Sequence, residues 1–282
     1  MDIEAQYYQV NGIRLHVIEA GRQDGEILLF LHGFPEYWWG WRHQISYFAQ
    51  LGYRVVAPAQ RGYHLSSKPA QTKAYGMKHL TDDVAALIRQ LPKQKVNLVG
   101  HDWGGAVAWA MALRYPELLH KLIVLNLPHP QVMRRSFVKW PKQLLKSWYI
   151  GFFQLPLLPE KLLSRHNFKL LTKTMMASSK EGTFSQEDML RYKQAWQQPG
   201  ALKAMINWYR AALSGTLKLN HLVTTPTLLI WGKQDQFLSH EMAPASIEKC
   251  EKGRLEMIPD ATHWVQHEKS ELVNKLILEF IS

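Results

Sequence analysis

The stretch Val99–Gly105, VGHDWGG, sets Gly100 and Gly104 two residues either side of Asp102. That is the G-x-nucleophile-x-G spacing of a strand-to-helix elbow, with an aspartate where an ester hydrolase carries serine. The glycines let the chain turn sharply and let the helix approach the strand. The middle side chain then projects into a site, and the N–H of the next residue, Trp103, faces a developing oxyanion. A second N–H is expected from the loop HGFPE at 32–36, at Phe34. Downstream, Asp235 in WGKQDQFLS follows the apolar run PTLLI, and His263 in PDATHW follows RLEMI. The order nucleophile, acid, histidine is the one this elbow requires. Asp260 competes as the orienting carboxylate but stands too close in sequence to His263, so Asp235 is preferred. Of the 13 histidines, His267 falls on the following helix, and His32 and His101 flank the oxyanion loop and the nucleophile; all three are read as structural.

A carboxylate nucleophile suits displacement of a leaving group from a saturated carbon, which leaves an alkyl ester on the enzyme. Water deprotonated by His263 then attacks the carbonyl carbon of the Asp102 ester, and the N–H groups of Phe34 and Trp103 hold the oxyanion. Asp235 keeps the imidazole in its useful tautomer and stabilises the imidazolium. Two leaving groups fit. A halide needs only N–H donors to solvate it, whereas the alkoxide of an opened epoxide needs a positioned acid, for which a phenol with pKa ~10 is suited. The middle of the chain carries three tyrosines, Tyr149, Tyr192 and Tyr209.

To position these groups the chain needs strands that end at one edge. QYYQV and IRLHVIEA are joined by Asn11-Gly12, the pair suited to a two-residue hairpin. EILLFLHG, YRVVAPA, KVNLVG and KLIVLNL are short apolar runs of the kind a parallel sheet buries on both faces. Helically spaced segments lie between them, WWGWRHQISYFAQLG, MKHLTDDVAALIRQL and WGGAVAWAMALRYPE, with Gly52 closing the first and Pro116 limiting the last. Such alternation predicts a doubly wound α/β sheet, with ligands beyond the carboxyl ends of the strands. From Pro128 the rhythm changes to Trp-, Lys- and Leu-rich sequence until PTLLIWG, after which GRLEMIPD and ELVNKLILEFI resume the alternation. The expected organisation is a core of residues 1–128 and 222–282 with a helical cap, residues 129–221, inserted over the strand ends.

In order along nearly the whole chain stand HGFPE, RGY, GHDWGG, WYIGFFQLP and NWYR. In this combination the sequence resembles the epoxide hydrolases of the α/β-hydrolase family. The resemblance implies the α/β-hydrolase fold, with a mostly parallel central sheet and a helical lid, and conversion of an epoxide to a vicinal diol. It implies Asp102 as nucleophile, His263 as base, Asp235 as its partner, and Tyr149 and Tyr209 as the pair that binds and protonates the epoxide oxygen. It also implies a cis Phe34–Pro35 bond. Tyr192 matches no catalytic motif and is expected to pack. No cofactor or metal is expected; the partners are a small-molecule epoxide and water. The family's APDxRGYGxS appears here as APAQRGYHLSS, with Ala59 and His64 departing from it, so altered geometry is expected in that loop, and Arg61 is expected to pair with a nearby carboxylate.

Haloalkane and haloacetate dehalogenases share the aspartate elbow, and Trp103 would suit a halide. Against them stand Phe34 where haloalkane enzymes place a polar donor, Trp103 where haloacetate enzymes carry arginine, and tyrosines a halide would not need. A non-catalytic binding protein on the same fold is the third reading.

Cys250, the only cysteine, excludes an internal disulfide and reads as a packing residue. The start, MDIEAQYYQV, has no basic-then-apolar order, and the apolar runs fall short of the ~20 residues of a membrane span, so a soluble, cytoplasmic protein is expected. Of the net charge of +11, residues 129–218 carry 15 Lys+Arg against 4 Asp+Glu, while the rest balances at 19 against 19. The cations are scattered and no nucleic-acid signature accompanies them. The segment reads as a solvated basic face that could favour epoxides bearing a remote carboxylate. Neither nucleic-acid binding nor integral membrane association is expected, and monomer and homodimer both remain open.

Overall fold

A computed structural model describes residues 3–214 and 222–282. Eight strands form its sheet: β1 Ile3–Val10, β2 Ile13–Gly21, β3 Ile27–Leu31, β4 Arg54–Ala59, β5 Val96–His101, β6 Leu119–Leu125, β7 Thr227–Gly232 and β8 Gly253–Ile258. Their order is β1-β2-β4-β3-β5-β6-β7-β8, with β1 and β2 antiparallel and every pair from β4 to β8 parallel. Asn11 and Gly12, at φ 45° and 76°, make the hairpin between the first two strands.

β3, β4, β5 and β7 are buried at every residue because both faces of the sheet are covered. Along β3, Leu28 and Phe30 enter one core with helices α1 (Arg42–Gln50) and α12 (Ser270–Ile281), while Leu29 and Leu31 enter the other with α2 (Met77–Gln90) and α3 (Trp103–Arg114). The alternation with period 2 splits one apolar run between two cores. α10 (Met242–Ile247) and α11 (Val265–Glu268) complete the layers. His267 therefore lies on a separate short helix ahead of the last one. The first helical segment likewise begins as a 3-10 turn, Trp38–Trp41, before α1.

Among the described residues, six helices lie between β6 and β7: α4 Pro130–Lys139, α5 Pro141–Lys146, α6 Trp148–Phe152, α7 Leu158–Ser178, α8 Gln186–Trp196 and α9 Ala201–Ser214. Within α7 the backbone leaves helical geometry at Arg165–Phe168, where His166, Asn167 and Phe168 have φ of 50–59°. The end assigned to this insertion, residues 215–221, lies outside the described residues.

Indole and phenol donors fasten the inserted helices to the core. Trp196 Nε1 donates to the Pro35 carbonyl (2.6 Å), Trp208 Nε1 to the Arg61 carbonyl (2.9 Å), and Tyr192 Oη to Glu36 (2.5 Å). Trp39 Nε1 and Arg42 both bond Asp188 of α8, at 2.8 and 3.1 Å. Arg61 meets Asp83 through two parallel bonds of 2.6 Å, the fork geometry that makes a buried ion pair worthwhile. His64 adopts φ 46°, the left-handed conformation a glycine would take there, and its ring packs on Tyr37 (4.7 Å). The loop thus makes a left-handed turn at a non-glycine residue.

Candidate active site

The elbow glycines are dictated by contact. A Cβ on Gly100 would lie 2.4 Å from the Gly104 carbonyl oxygen, and one on Gly104 would lie 2.0 Å from that of Leu31. The spacing therefore lets β5, α3 and β3 close on one another, and Asp102 is carried at the crest with φ 50° and ψ −123°. A non-glycine residue held at such angles is strained, and such residues cluster at functional sites. Gly33 is equally constrained, since a Cβ there would come within 2.4 Å of the Asp102 Cβ.

Asp102 Oδ1 accepts the Phe34 N–H at 2.8 Å, beside a cis Phe34–Pro35 peptide. Trp103 opens α3, so its N–H has no carbonyl one turn earlier to reach. Asp102 Oδ2 lies 3.7 Å from His263 Nε2. That exceeds a hydrogen bond, so this carboxylate and the imidazole are neighbours without sharing a proton.

On its far side His263 Nδ1 meets Asp235 Oδ2 at 2.8 Å. Asp235 Oδ2 also accepts from Asn126 Nδ2 (2.7 Å), and Oδ1 accepts the N–H groups of Phe237 (2.7 Å) and Leu238 (2.9 Å). Burial alone would push this carboxyl up. The charge and hydrogen bond of His263, the Asn126 amide and the Leu238 N–H outweigh it and hold Asp235 below the usual carboxylate range. For His263 burial opposes the charged form, but Asp235, then Asp102 and Glu36, overcome it and lift the imidazole to about 8. Asp260, the other carboxylate considered, is on the surface with Lys269 and Lys180.

Tyr149 of α6 and Tyr209 of α9 stand with ring centroids 5.9 Å apart. Tyr209 packs edge-on against Phe34 (5.2 Å) and Trp103 (5.0 Å), the residue whose N–H reaches Asp102 and the residue that follows Asp102. Tyr149 meets Phe237 (6.1 Å), which in turn lies on His263 (5.1 Å). Burial and then the Asp102 charge raise both phenols, so both stay protonated and able to donate. The five residues singled out by sequence, Asp102, Asp235, His263, Tyr149 and Tyr209, thus form one contiguous assembly with Phe34 and Trp103.

The model of the α/β hydrolase fold family matches residues 26–270. The chain belongs to this family. It is 47% identical over 280 residues to the AB hydrolase superfamily protein YfhM of Bacillus subtilis, covering 99% of this chain and 98% of that one. It is 41% identical to human Epoxide hydrolase 4 over 278 residues, 96% of this chain and 76% of the relative. Among solved structures, the Bacillus megaterium epoxide hydrolase in complex with an inhibitor superposes with a TM-score of 0.90 at 34% identity, over 98% of this chain and 99% of that one.

Around the hydrolase site, His101 Nε2 lies 2.8 Å from the His263 carbonyl, and His32 bridges the Gly33 carbonyl and the Gln60 N–H, both at 3.0 Å. Burial lowers His32 to about 4, so it braces the loop as a neutral ring. Two residues escaped the sequence reading. Asn126, at φ 45° just past β6, bonds Asp235 and accepts the Gly232 N–H at 3.0 Å. Its place at the carboxyl end of a central strand, where such sheets assemble their sites, is the signal that marks it. Glu36 is almost fully buried. It accepts from Tyr192, from His267 (2.7 Å) and from Gln266 (3.1 Å), so Tyr192 packs as expected and also donates a hydrogen bond. Tyr63, whose buried hydroxyl has no hydrogen-bond partner among the described residues, is raised by burial and by the Asp102 charge.

Proposed function

We propose that this protein hydrolyses epoxides to vicinal diols through an alkyl ester on Asp102. The observation that carries the reading is the pair of protonated phenols, Tyr149 and Tyr209, grouped in one aromatic wall with the residues around an aspartate nucleophile. An opened epoxide needs such acids; a halide does not.

In the first step Asp102 Oδ2, the oxygen left free by the Phe34 N–H, attacks a ring carbon. The carbon–oxygen bond breaks and the departing oxygen takes a proton from a tyrosine. Oδ1 becomes the ester carbonyl oxygen and is already on the Phe34 donor. In the second step His263 Nε2 takes a proton from water as the hydroxide adds to Asp102 Cγ. The N–H groups of Phe34 and Trp103 hold the resulting oxyanion. Collapse expels the diol oxygen, which recovers a proton from the imidazolium, and the regenerated carboxyl returns its proton to the tyrosinate. The bonds around Asp235 keep the imidazole oriented throughout.

On this reading residues 129–221 are the cap that supplies the acids, and residues 1–128 and 222–282 the core that supplies nucleophile, base and oxyanion donors. The lone cysteine, Cys250, fits a reducing compartment such as the cytoplasm. Incubation with styrene oxide and with a chloroalkane tests the reaction: diol formation supports it, and halide release without diol activity overturns it. Single turnover in heavy-oxygen water tests the ester, because label must enter the Asp102 carboxyl before the diol.

A further inference from the structure

Exposed apolar side chains are ordinary singly, but runs of them on neighbouring helices mark contact surfaces. The segment Pro130–Phe152, which forms α4, α5 and α6, holds five cations and no acidic residue. On α4, Val132 and Ser136 face inward at i, i+4, which leaves Arg134, Arg135, Val138 and Lys139 exposed. On α5, Gln143 is turned in by bonds to the Phe237 carbonyl (2.9 Å) and the Ser239 N–H (2.8 Å), which leaves Lys142, Leu144 and Leu145 outside. On α6, Trp148 points out while Tyr149 faces Phe237. Val138 is 87% exposed, Leu144 59%, Leu145 76% and Trp148 69%, four large apolar groups within 11 positions of the chain and interleaved with its cations.

The outward cations decide the occupant. Arg134, Arg135, Lys139 and Lys142 have no acidic residue within their own segment, whereas Lys146 turns inward to the Asp235 carbonyl (2.7 Å). A second copy docked symmetrically would bring the same cations face to face. A nucleic acid would satisfy the cations but leave the valine, leucines and tryptophan without apolar surroundings. An anionic bilayer surface meets both needs, with headgroups for Lys and Arg and the acyl boundary for the apolar groups, and tryptophan favours that interface. We propose that the outer face of α4–α6 docks this protein onto anionic lipid membranes. If the site also acts on epoxides, docking brings Tyr149, the neighbour of Trp148, to the phase in which apolar epoxides concentrate; the docking itself does not rest on that activity.

Cosedimentation with vesicles of phosphatidylcholine, alone and mixed with phosphatidylglycerol, tests the proposal at low and high salt. The wild type is expected on the mixed vesicles at low salt and to leave them as salt rises. Leu144→Ser with Leu145→Ser, and separately Lys139→Glu with Lys142→Glu, should each weaken binding about tenfold or more, with turnover in vesicle-free buffer unchanged. Retained turnover shows that the variants are folded. Because binding is read without turnover, an inactive wild type that still binds refutes the catalytic reading alone. The docking proposal is overturned if the wild type ignores phosphatidylglycerol vesicles, if either double variant binds as well as the wild type, or if the surface proves to hold a dimer that Leu144→Ser with Leu145→Ser dissociates.

Discussion

Replacing Asp235 with asparagine removes the charge and the acceptor that do most to raise His263 and leaves only the charges of Asp102 and Glu36 to oppose burial. His263 stands at about 8 against an ordinary 6.5. That difference corresponds to about 2 kcal/mol favouring the imidazolium in the folded protein. The sign follows from the direction of the shift. This contribution to stability is fully present below pH 6.5 and disappears as pH rises through about 8. In Asp235→Asn the imidazole should titrate below 6.5, because burial is the largest influence on it and acts downward. NMR titration of the His263 Cε1 proton reads both values, and denaturant unfolding across the same pH window reads the stability. Titration reports the cluster of His263, Asp235 and Asp102 rather than an isolated ring. Alkylation of Asp102 deletes one of the raising charges, so His263 should titrate lower in the ester intermediate than in the free enzyme, which favours the neutral base when it is needed. A wild-type value below 6.5, or one unchanged by Asp235→Asn, would refute this account of how the imidazole is tuned.

Asp102→Ala should abolish diol formation, and His263→Gln should leave a substrate adduct on Asp102 that intact-protein mass spectrometry detects. Tyr149→Phe and Tyr209→Phe should each slow ring opening, and the double variant should lose roughly 10²-fold or more in single-turnover alkylation; an unchanged rate would remove the assigned acids. Asn126→Ala leaves Asp235 and the Gly232 N–H each short of a buried partner, which should cost about 1–3 kcal/mol in unfolding experiments. Gly104→Ala drives a methyl group to 2.0 Å from the Leu31 carbonyl oxygen, so it should lower the melting temperature and the activity together.

Much of the candidate site could be assembled from the sequence because its signals are local. The elbow glycines, the strand-ending Asp235 and the loop histidine each follow from a few residues of context, and the cap tyrosines from motif resemblance. The sheet was legible because β3 to β7 are short, apolar and buried on both faces. What escaped depends on partners distant in sequence. Asn126 earns its meaning from Asp235, 109 residues away, and Tyr192 from Glu36, 156 residues away. Glu36 was visible only as the last letter of HGFPE, yet burial among Tyr192, His267 and Gln266 makes it a hub. His64 shows the limit of a residue-type rule, since an imidazole-bearing residue takes the left-handed turn at that position.

The Trp196 bond to the Pro35 carbonyl ties α8 to the loop that, two peptides earlier, carries the Phe34 N–H. An outward shift of α8 would pull through that bond on the loop that holds the Phe34 N–H against Asp102. On the proposed mechanism, guests bulky enough to shift α8 should therefore be slowed in hydrolysis of the Asp102 ester, after their ring has already been breached. Bulk would then show itself as a lingering covalent adduct rather than as poor capture.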